Sequence, residues 1–449
     1  MNINNLNKIY FIGIGGIGMS ALARYFNQND VEVHGYDKTH SNITDELIFE
    51  GISIHFEEDI ELLPQDIDLV IYTPAIPEEH KELIYFKEKG FPIKKRAEVL
   101  GIISKDFFTI AVAGTHGKTT ITSIISHLLI SSRKKITAFI GGISNNLNSN
   151  FISLPDSKIL IVEADEFDQS FLSLKPDIAV ISSMDADHLD IYNSKESLEE
   201  SFMLFSKQIK DDGNLIIRSD LKYASEIEDK RISYSIKESS DVYASEIKIK
   251  NNQFVFDLIY YGETIQNITL GIPGFHNIEN AVAASVVALE LGVKPDSIKN
   301  ALQTYSGVKR RFDVRINRED FVYIDDYAHH PEELRACINS VKKMYPDKKI
   351  NGVFQPHLFS RTRDFADEFA RSLELLDEVV LLEIYPAREK PIQGVNSEML
   401  LNKIKCKNKY LLNNDKLLEK LKQQKPEVLL TLGAGNIDLL VESIEEIFS

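Results

Sequence analysis

The 449-residue chain has only two cysteines, Cys337 and Cys406. Their separation matches no metal-ligand spacing, and a single pair cannot make a disulfide framework, so the pattern fits a reducing compartment. No apolar run approaches the ~18 residues of a membrane-spanning helix, and no membrane span is expected. Positive charge is also scarce: Lys and Arg number 51 against 68 Asp and Glu, a formal charge of −17. A duplex-binding protein normally shows a basic surplus or stripe, so no nucleic-acid partner is expected. An acidic protein can still hold phosphates, provided that glycine loops, lysine and Mg²⁺ are concentrated locally. The opening stretch MNINNLNKIYFIGIGG lacks the shape of a signal peptide, because its apolar run leads straight into a glycine loop. A cytoplasmic location is expected.

What is present is 43% hydrophobic and 27% charged residues, ordinary for a soluble globular protein and enough chain for two to four domains of about 100–200 residues. The strand-like runs KIYFIGI, VEVHGYD and DLVIYTPAI alternate with helical patterns to about residue 104. This rhythm argues for a parallel, doubly wound sheet. FFTIAVAG then meets a second glycine loop and a helix, and KILIVEADE, PDIAVISSMDADH and GNLIIRSD follow, with acidic or histidine residues near strand ends. Ligands of open α/β sheets bind there. Residues 241–273 alternate with period two and read as a small antiparallel sheet attached to the central domain. HNIENAVAASVVALELG reads as a helix ending at Gly292, and strand–loop–helix units restart near residue 313. The expected fold is α/β in three domains, 1–104, 105–312 and 313–449: Rossmann-like, P-loop ATPase-like with the small added sheet, and Rossmann-like.

Two loops carry chemistry. In FIGIGGIGMS, Gly13 permits a tight turn, Gly15 lets backbone approach a diphosphate, and Gly18 allows close helix–strand packing. Asp37 ends the second strand, placed to meet a ribose or base. Any nucleoside diphosphate satisfies this physics, and a purely structural glycine turn would read the same. In GTHGKTT, the pattern is G-x-x-G-K-T through Gly114, Gly117, Lys118 and Thr119, shorter than the full P-loop, which would need glycine at Val112. Lys118 would neutralise β- and γ-phosphates, and the Thr119 hydroxyl would bind Mg²⁺. Glu163 ends the strand KILIVE, with Asp165, Glu166 and Asp168 behind it. His188 ends the next strand. It suits a hard cation weakly, and alone it would be a loop histidine.

In order along the chain, GIGGIGMSALA, YTPAI, RAEVL, GTHGKTT, EADEFDQSFL, DADHLDIY, GFHNIENAVAA, RRFD, DDYAHHPEE, FQPHLFSRT and LGAGNID resemble the Mur ligases, ATP-dependent peptide synthetases of bacterial cell-wall precursors. The resemblance covers essentially the whole chain and is greatest to the branch that joins L-alanine to UDP-N-acetylmuramate. It implies that the first domain holds the UDP-sugar through Gly13, Gly15, Gly16, Gly18, Met19, Ser20, Asp37, Thr73 and Ala75. The central loop would hold ATP through Gly114, Thr115, His116, Gly117, Lys118, Thr119 and Thr120. His276, Asn277 and Asn280 would add adenine-side contacts, although Asn277 also suits a plain helix cap. Arg311 and Asp326 would reach the nucleotide from the domain junction and third domain. Tyr327, His329, His357 and Arg361 would line the amino-acid side. Thr119 would hold the ATP-linked Mg²⁺, with Mn²⁺ an alternative, and Glu163 and His188 a second ion. Lys118, Glu163 and His188 would be catalytic. The implied chemistry is attack of a lactyl carboxylate on the γ-phosphate, then of an amine on the acyl phosphate.

Three departures stand out. Many relatives read QPHR where this chain has Leu358, so a carboxylate-facing charge is missing or supplied by Arg363. Phe167 replaces a small polar residue. SLEESFMLFS has no lysine where several sister ligases carry a carbamylated one, as expected for the alanine-adding branch. Three other readings compete: a recycling ligase that attaches a tripeptide, an NAD-dependent oxidoreductase, and an ATP-gated regulatory protein. The first shares the fold and loops but typically departs from GIGGIGMS. The second leaves Lys118, Thr119, Glu163 and His188 unexplained, and the third leaves the acceptor motifs without a role.

Overall fold

A computed structural model describes residues 3–185, 192, 194–225, 231–237, 240–387 and 389–449. The chain forms two compact units, one of Met1–Ser245, Asp257–Ile268 and Glu279–Tyr305, the other of Glu246–Phe256, Thr269–Ile278 and Ser306–Ser449.

In the first unit, a five-stranded sheet runs in the spatial order Ser53–His55, Glu32–Tyr36, Lys8–Ile12, Leu69–Tyr72, Ile93–Lys95. Every neighbouring pair is parallel. The order reverses at Lys8–Ile12, so the first glycine loop lies at the switch point where doubly wound sheets bind ligands.

The second sheet has ten strands: Glu263–Leu270, Gln253–Tyr260, Val242–Lys250, Arg231–Ser235, Asn214–Arg218, Ile178–Ile181, Phe108–Ala113, Ile159–Glu163, Ile136–Ser144 and Ser149–Ser153. The alternating stretch predicted as an attached small sheet supplies its first three strands. Their connections are two-residue hairpin turns, Asn251–Asn252 with φ of 51° and 60° and Tyr261–Gly262 with 45° and 85°. Positive φ at both turn positions matches the twist of the flanking strands. Phe108–Ala113, which leads into the second glycine loop, lies between Ile159–Glu163 and Ile178–Ile181 and is parallel to both. It is flanked on both sides and buried beyond its first residue, which is why it reads as an unbroken apolar run.

One apolar core joins these two sheets, with Phe11, Phe26, Val99, Phe139, Phe151 and Phe171 among its members. In the second unit, six strands run Asp313–Asn317, Val322–Asp326, Val428–Leu432, Ile350–Phe354, Glu378–Leu381, Asn408–Leu411. All pairs are parallel except the edge strand Asp313–Asn317. The helix Phe275–Glu290 stops as its sequence predicts, with Gly292 at φ 71° just beyond it. Among the described residues, no helix is long and apolar enough to cross a membrane.

Candidate active site

The first glycine loop turns at Gly13, φ 84°. The Gly13 and Ile14 N–H groups donate to the Tyr36 carbonyl at 2.7 and 3.0 Å. Asp37 grips the loop: its Oδ2 accepts the Gly15 N–H at 2.8 Å and its Oδ1 the Thr39 N–H at 3.1 Å. A Cβ on Gly15 would stand 2.8 Å from Thr44 and 2.9 Å from Asp37, and one on Gly18 2.8 Å from the Arg96 guanidinium. The helix Ile17–Gln28 follows, with Gly16 at its cap and no side chain closing it, so its first N–H groups are available to an anion. Met19 and Ser20 are buried in that first turn. Thr73 lies against Gly13, and Ala75 is exposed.

The second loop runs from Gly114, φ 136°, to Gly117, φ 86°, and opens the helix Lys118–Ser131. It is clamped by the neighbouring strand end: Thr115 Oγ1 lies 2.9 Å from Ser183 Oγ, the His116 N–H donates to Ser183 Oγ at 2.7 Å, and Ser182 Oγ donates to the His116 carbonyl at 2.5 Å. A Cβ on Gly117 would stand 2.6 Å from Asn280 Oδ1, which places Asn280 directly on the loop. Thr120 is buried in the helix start. Lys118 Nζ donates to the Gly114 carbonyl at 2.7 Å and to both oxygens of the fully buried Glu166 at 2.8 and 2.7 Å. Burial alone would lower the Lys118 pKa; the facing Glu166, with Asp165 and Glu163 nearby, outweighs it and holds the ammonium charged.

Thr119 Oγ1 lies 3.2 Å from Glu163 Oε2, and Glu163 Oε1 accepts the Gly141 N–H at 2.6 Å. This hydroxyl–carboxylate pair is an all-oxygen donor set that suits Mg²⁺. Among the described residues no group of three His, Cys, Asp or Glu is placed to hold a metal. The predicted ligand His188 lies outside those residues. Behind Glu166, Asp168 and Gln169 both take φ 52°, a left-handed pair that costs non-glycine residues strain. Lys95 Nζ donates to Asp168 at 2.6 Å, and Arg96 lies 3.7 Å from Asp165.

In the second unit, Asp326 accepts the Phe312 and Ala328 N–H groups at 2.6 and 2.7 Å. Burial pushes its carboxyl up to about 7, against the pull of Arg311. The Arg311 guanidinium lies 4.7 Å over the Tyr327 ring, with Arg310 on the same ring at 5.2 Å. His276 is 5.8 Å from Phe312, and burial pulls its pKa down to about 4, with Glu333 opposing. Asn277 lies within the first turn of its helix, donating to the Pro273 carbonyl at 2.5 Å, so it is not the cap its sequence suits. His329 faces His357 at 5.9 Å, and His357 stacks on Tyr385 at 5.8 Å. Leu358, φ 69°, precedes the short helix Phe359–Asp364, on which Arg361 is buried while Arg363 is exposed and paired with Asp364 at 2.7 Å.

Sequence reasoning grouped Glu166 with the loop acids and missed its pairing with Lys118; the serine pair Ser182 and Ser183, Arg96 and Tyr385 escaped it too. The serines could have been found as small polar residues closing the strand PDIAVISS, opposite the loop.

Models of three domains match the chain in order: the Mur ligase family catalytic domain at residues 8–108, the Mur ligase middle domain at 112–288, and the Mur ligase glutamate ligase domain at 310–435. A protein of Flavobacterium psychrophilum called UDP-N-acetylmuramate–L-alanine ligase is 49% identical over 450 residues, spanning 99% of each chain. The chain belongs to the Mur ligase family. A like-named Parabacteroides distasonis protein is 48% identical over all of this chain and 98% of its own. The solved UDP-N-acetylmuramate–alanine ligase of Thermotoga maritima superposes with TM-score 0.85 at 28% identity, covering 98% of this chain and 99% of its own. The α/β architecture read from the sequence is thus a Mur ligase fold, and both glycine loops fall within its matched domains.

Proposed function

We propose that this Mur ligase joins L-alanine to the lactyl carboxylate of UDP-N-acetylmuramate, giving UDP-N-acetylmuramoyl-L-alanine, ADP and phosphate. The carrying observation is the presence, in one compact unit, of a glycine loop without a lysine and a second with a buried, charged one. The relatives' names supply UDP-N-acetylmuramate and L-alanine as the substrates to be joined, and the lysine-bearing loop suits ATP as the third reactant. The first loop would cradle the UDP diphosphate on backbone N–H groups at an uncapped helix start. The second would hold ATP, with Lys118 set against the β- and γ-phosphates.

A lactyl carboxylate oxygen attacks the γ-phosphorus, and the bond to ADP breaks. The L-alanine amine then attacks the acyl-phosphate carbonyl, loses its proton, and phosphate leaves. Thr119, Glu163 and His188 are the residues that would hold Mg²⁺ or Mn²⁺, which would supply charge neutralisation between two anionic reactants. Around ATP we place Gly114–Thr120, His276, Asn277, Asn280, Arg311 and Asp326. Around the amino acid we place Tyr327, His329, His357 and Arg361. The burial of Arg361, against the exposed Arg363 that pairs with Asp364, supports Arg361 as the ligand of the alanine carboxylate. In this reading 1–104 takes the UDP-sugar, 105–312 takes ATP, and 313–449 takes the amino acid and adds ATP contacts, with the cytoplasm as the proposed working compartment.

The test is phosphate release measured with UDP-N-acetylmuramate and a panel of amino acids and a tripeptide. Release that needs both substrates and is fastest with L-alanine is expected. A tripeptide preference would make the protein a recycling ligase. Release independent of any acceptor would overturn ligation.

A further inference from the structure

Asn150, in the strand Ser149–Ser153, is completely buried, and its amide reaches out of its own sheet. Nδ2 donates to the Ile17 carbonyl at 2.6 Å and to the Ser20 hydroxyl at 2.9 Å, and Oδ1 accepts from Arg24 Nη1 at 2.5 Å. Ile17 and Ser20 form the first turn of the helix that opens at the first glycine loop. Arg24 carries the contact onward, donating to Glu46 at 2.7 Å and Glu50 at 2.8 Å, on and just after the helix Asn42–Phe49. Thr44 of that helix packs against Gly15. One amide thus touches one wall of the first loop directly and the other through Arg24.

In the other direction, the Asn150 strand pairs antiparallel with Ile136–Ser144, Ala138 opposite Ile152 and Phe139 opposite Phe151. That second strand carries Gly141, whose N–H holds Glu163 at 2.6 Å, and Glu163 faces Thr119 of the second loop. Tyr25 wedges its ring against Phe139 and Phe151 at 5.7 and 6.2 Å, so helix and hairpin pack together along their length. A buried amide with its hydrogen bonds made is costly to unpair. A shift of the helix start would therefore break these bonds unless the hairpin moved with it.

We propose that Asn150 is a positioning residue that couples the two glycine loops, so that filling one tightens binding at the other. The first ligand orders the helix start and, through Asn150, the hairpin that holds Glu163; the second then has less to order. By linkage the effect is reciprocal. This inference rests on the ligand assignment proposed above.

The test is calorimetry on the full chain. The dissociation constant of UDP-N-acetylmuramate is measured with and without a saturating non-hydrolysable ATP analogue and Mg²⁺, and the titration is repeated with the ligands exchanged. The wild type should show tightening of about tenfold in both directions. In Asn150→Ala the ratio should fall below about twofold, each ligand alone still binding. Asn150→Asp keeps the acceptor for Arg24 and removes both donors; it should lose the coupling too, and it serves if the alanine variant fails to fold. Phe151→Leu loosens the same packing without touching the amide and should keep the ratio, separating position from general softening. A folded Asn150→Asp protein with wild-type coupling, or a wild-type ratio near one, overturns the proposal. A wild type that binds no UDP-N-acetylmuramate at all instead overturns the ligand assignment on which it rests.

Discussion

Both glycine loops follow a buried parallel strand and open a helix with no side-chain cap, yet they are held by opposite charges. In the first, a carboxylate grips the loop: Asp37 takes the Gly15 N–H. In the second, a cation is gripped: Lys118 is enclosed by Glu166 and the Gly114 carbonyl. A loop that offers backbone N–H groups, with its nearest cation, Arg96, on a separate helix against Gly18, suits a diphosphate that stays intact during the reaction. A loop that brings a buried ammonium suits a phosphate whose charge is redistributed as it transfers. The glycine pattern alone marks where phosphate can sit; the charge beside it says what happens to that phosphate.

The strongest way to break this contrast is Lys118→Ala. Phosphate release should fall on the order of a thousandfold, while UDP-N-acetylmuramate affinity, followed by calorimetry, stays near wild type. Equal loss of both would mean that the loops do not divide the work.

Glycine replacement sharpens the contrast next. Gly15→Val drives a branched side chain into Thr44 and Asp37, and UDP-sugar affinity should drop roughly tenfold to a hundredfold with ATP-analogue binding spared. Gly114→Ala is the mirror case. Its Cβ would lie 2.2 Å from Ser182 Oγ at a φ of 136°, and nucleotide affinity should suffer alone. If either variant weakens both ligands alike, the loops are not separate sites.

A smaller effect distinguishes the supports beneath the loops. Tyr36, whose carbonyl anchors the first loop, packs against His55 and His80 at 5.6 and 4.8 Å. Under them the Tyr10 hydroxyl lies 2.6 Å from both His55 Nε2 and the buried Glu82. Burial pushes the Glu82 carboxyl from its unfolded value near 4.5 up to about 7. The folded chain therefore holds that proton more tightly, and the stabilisation is whole below about pH 4.5 and lost as pH rises through about 7. Glu82→Gln removes the titration. Between pH 5 and 8 the wild-type Tm should fall by a few degrees relative to that of the variant; parallel curves would show that Glu82 does not titrate there.

Much of this was legible in the sequence because the loops are local. Gly13, Gly15 and Gly18, and Gly114, Gly117, Lys118 and Thr119, lie in short runs after apolar strands, where spacing alone fixes geometry. The strands that lead into the loops follow from strand–helix rhythm for the same reason, while Ile136–Ser144 and Ser149–Ser153, the hairpin at one edge of the central sheet, did not stand out. Long-range partners were not legible. Nothing near Lys118 in sequence names Glu166, 48 residues on, as its counter-ion, and nothing near Asn150 points to Ile17, 133 residues back. Period-two alternation showed that residues 241–273 form strands, but period cannot tell an attached sheet from an extension of the central one. In the third domain, Arg361 and Arg363 look alike as letters, and burial alone separates them.

Asp168 and Gln169, the left-handed pair behind Glu166, mark a place where this protein can be hardened. Gln169 holds a conformation that glycine adopts freely and glutamine does not, at a cost of roughly 1–2 kcal/mol, and its side chain makes a long contact, 3.4 Å, to Ser201. Gln169→Gly should raise Tm by a degree or two in a melting curve, the smallest effect expected here. If turnover falls as Tm rises, the segment exchanges durability for a fixed placement of the acidic residues before it, and selection has kept the less robust backbone.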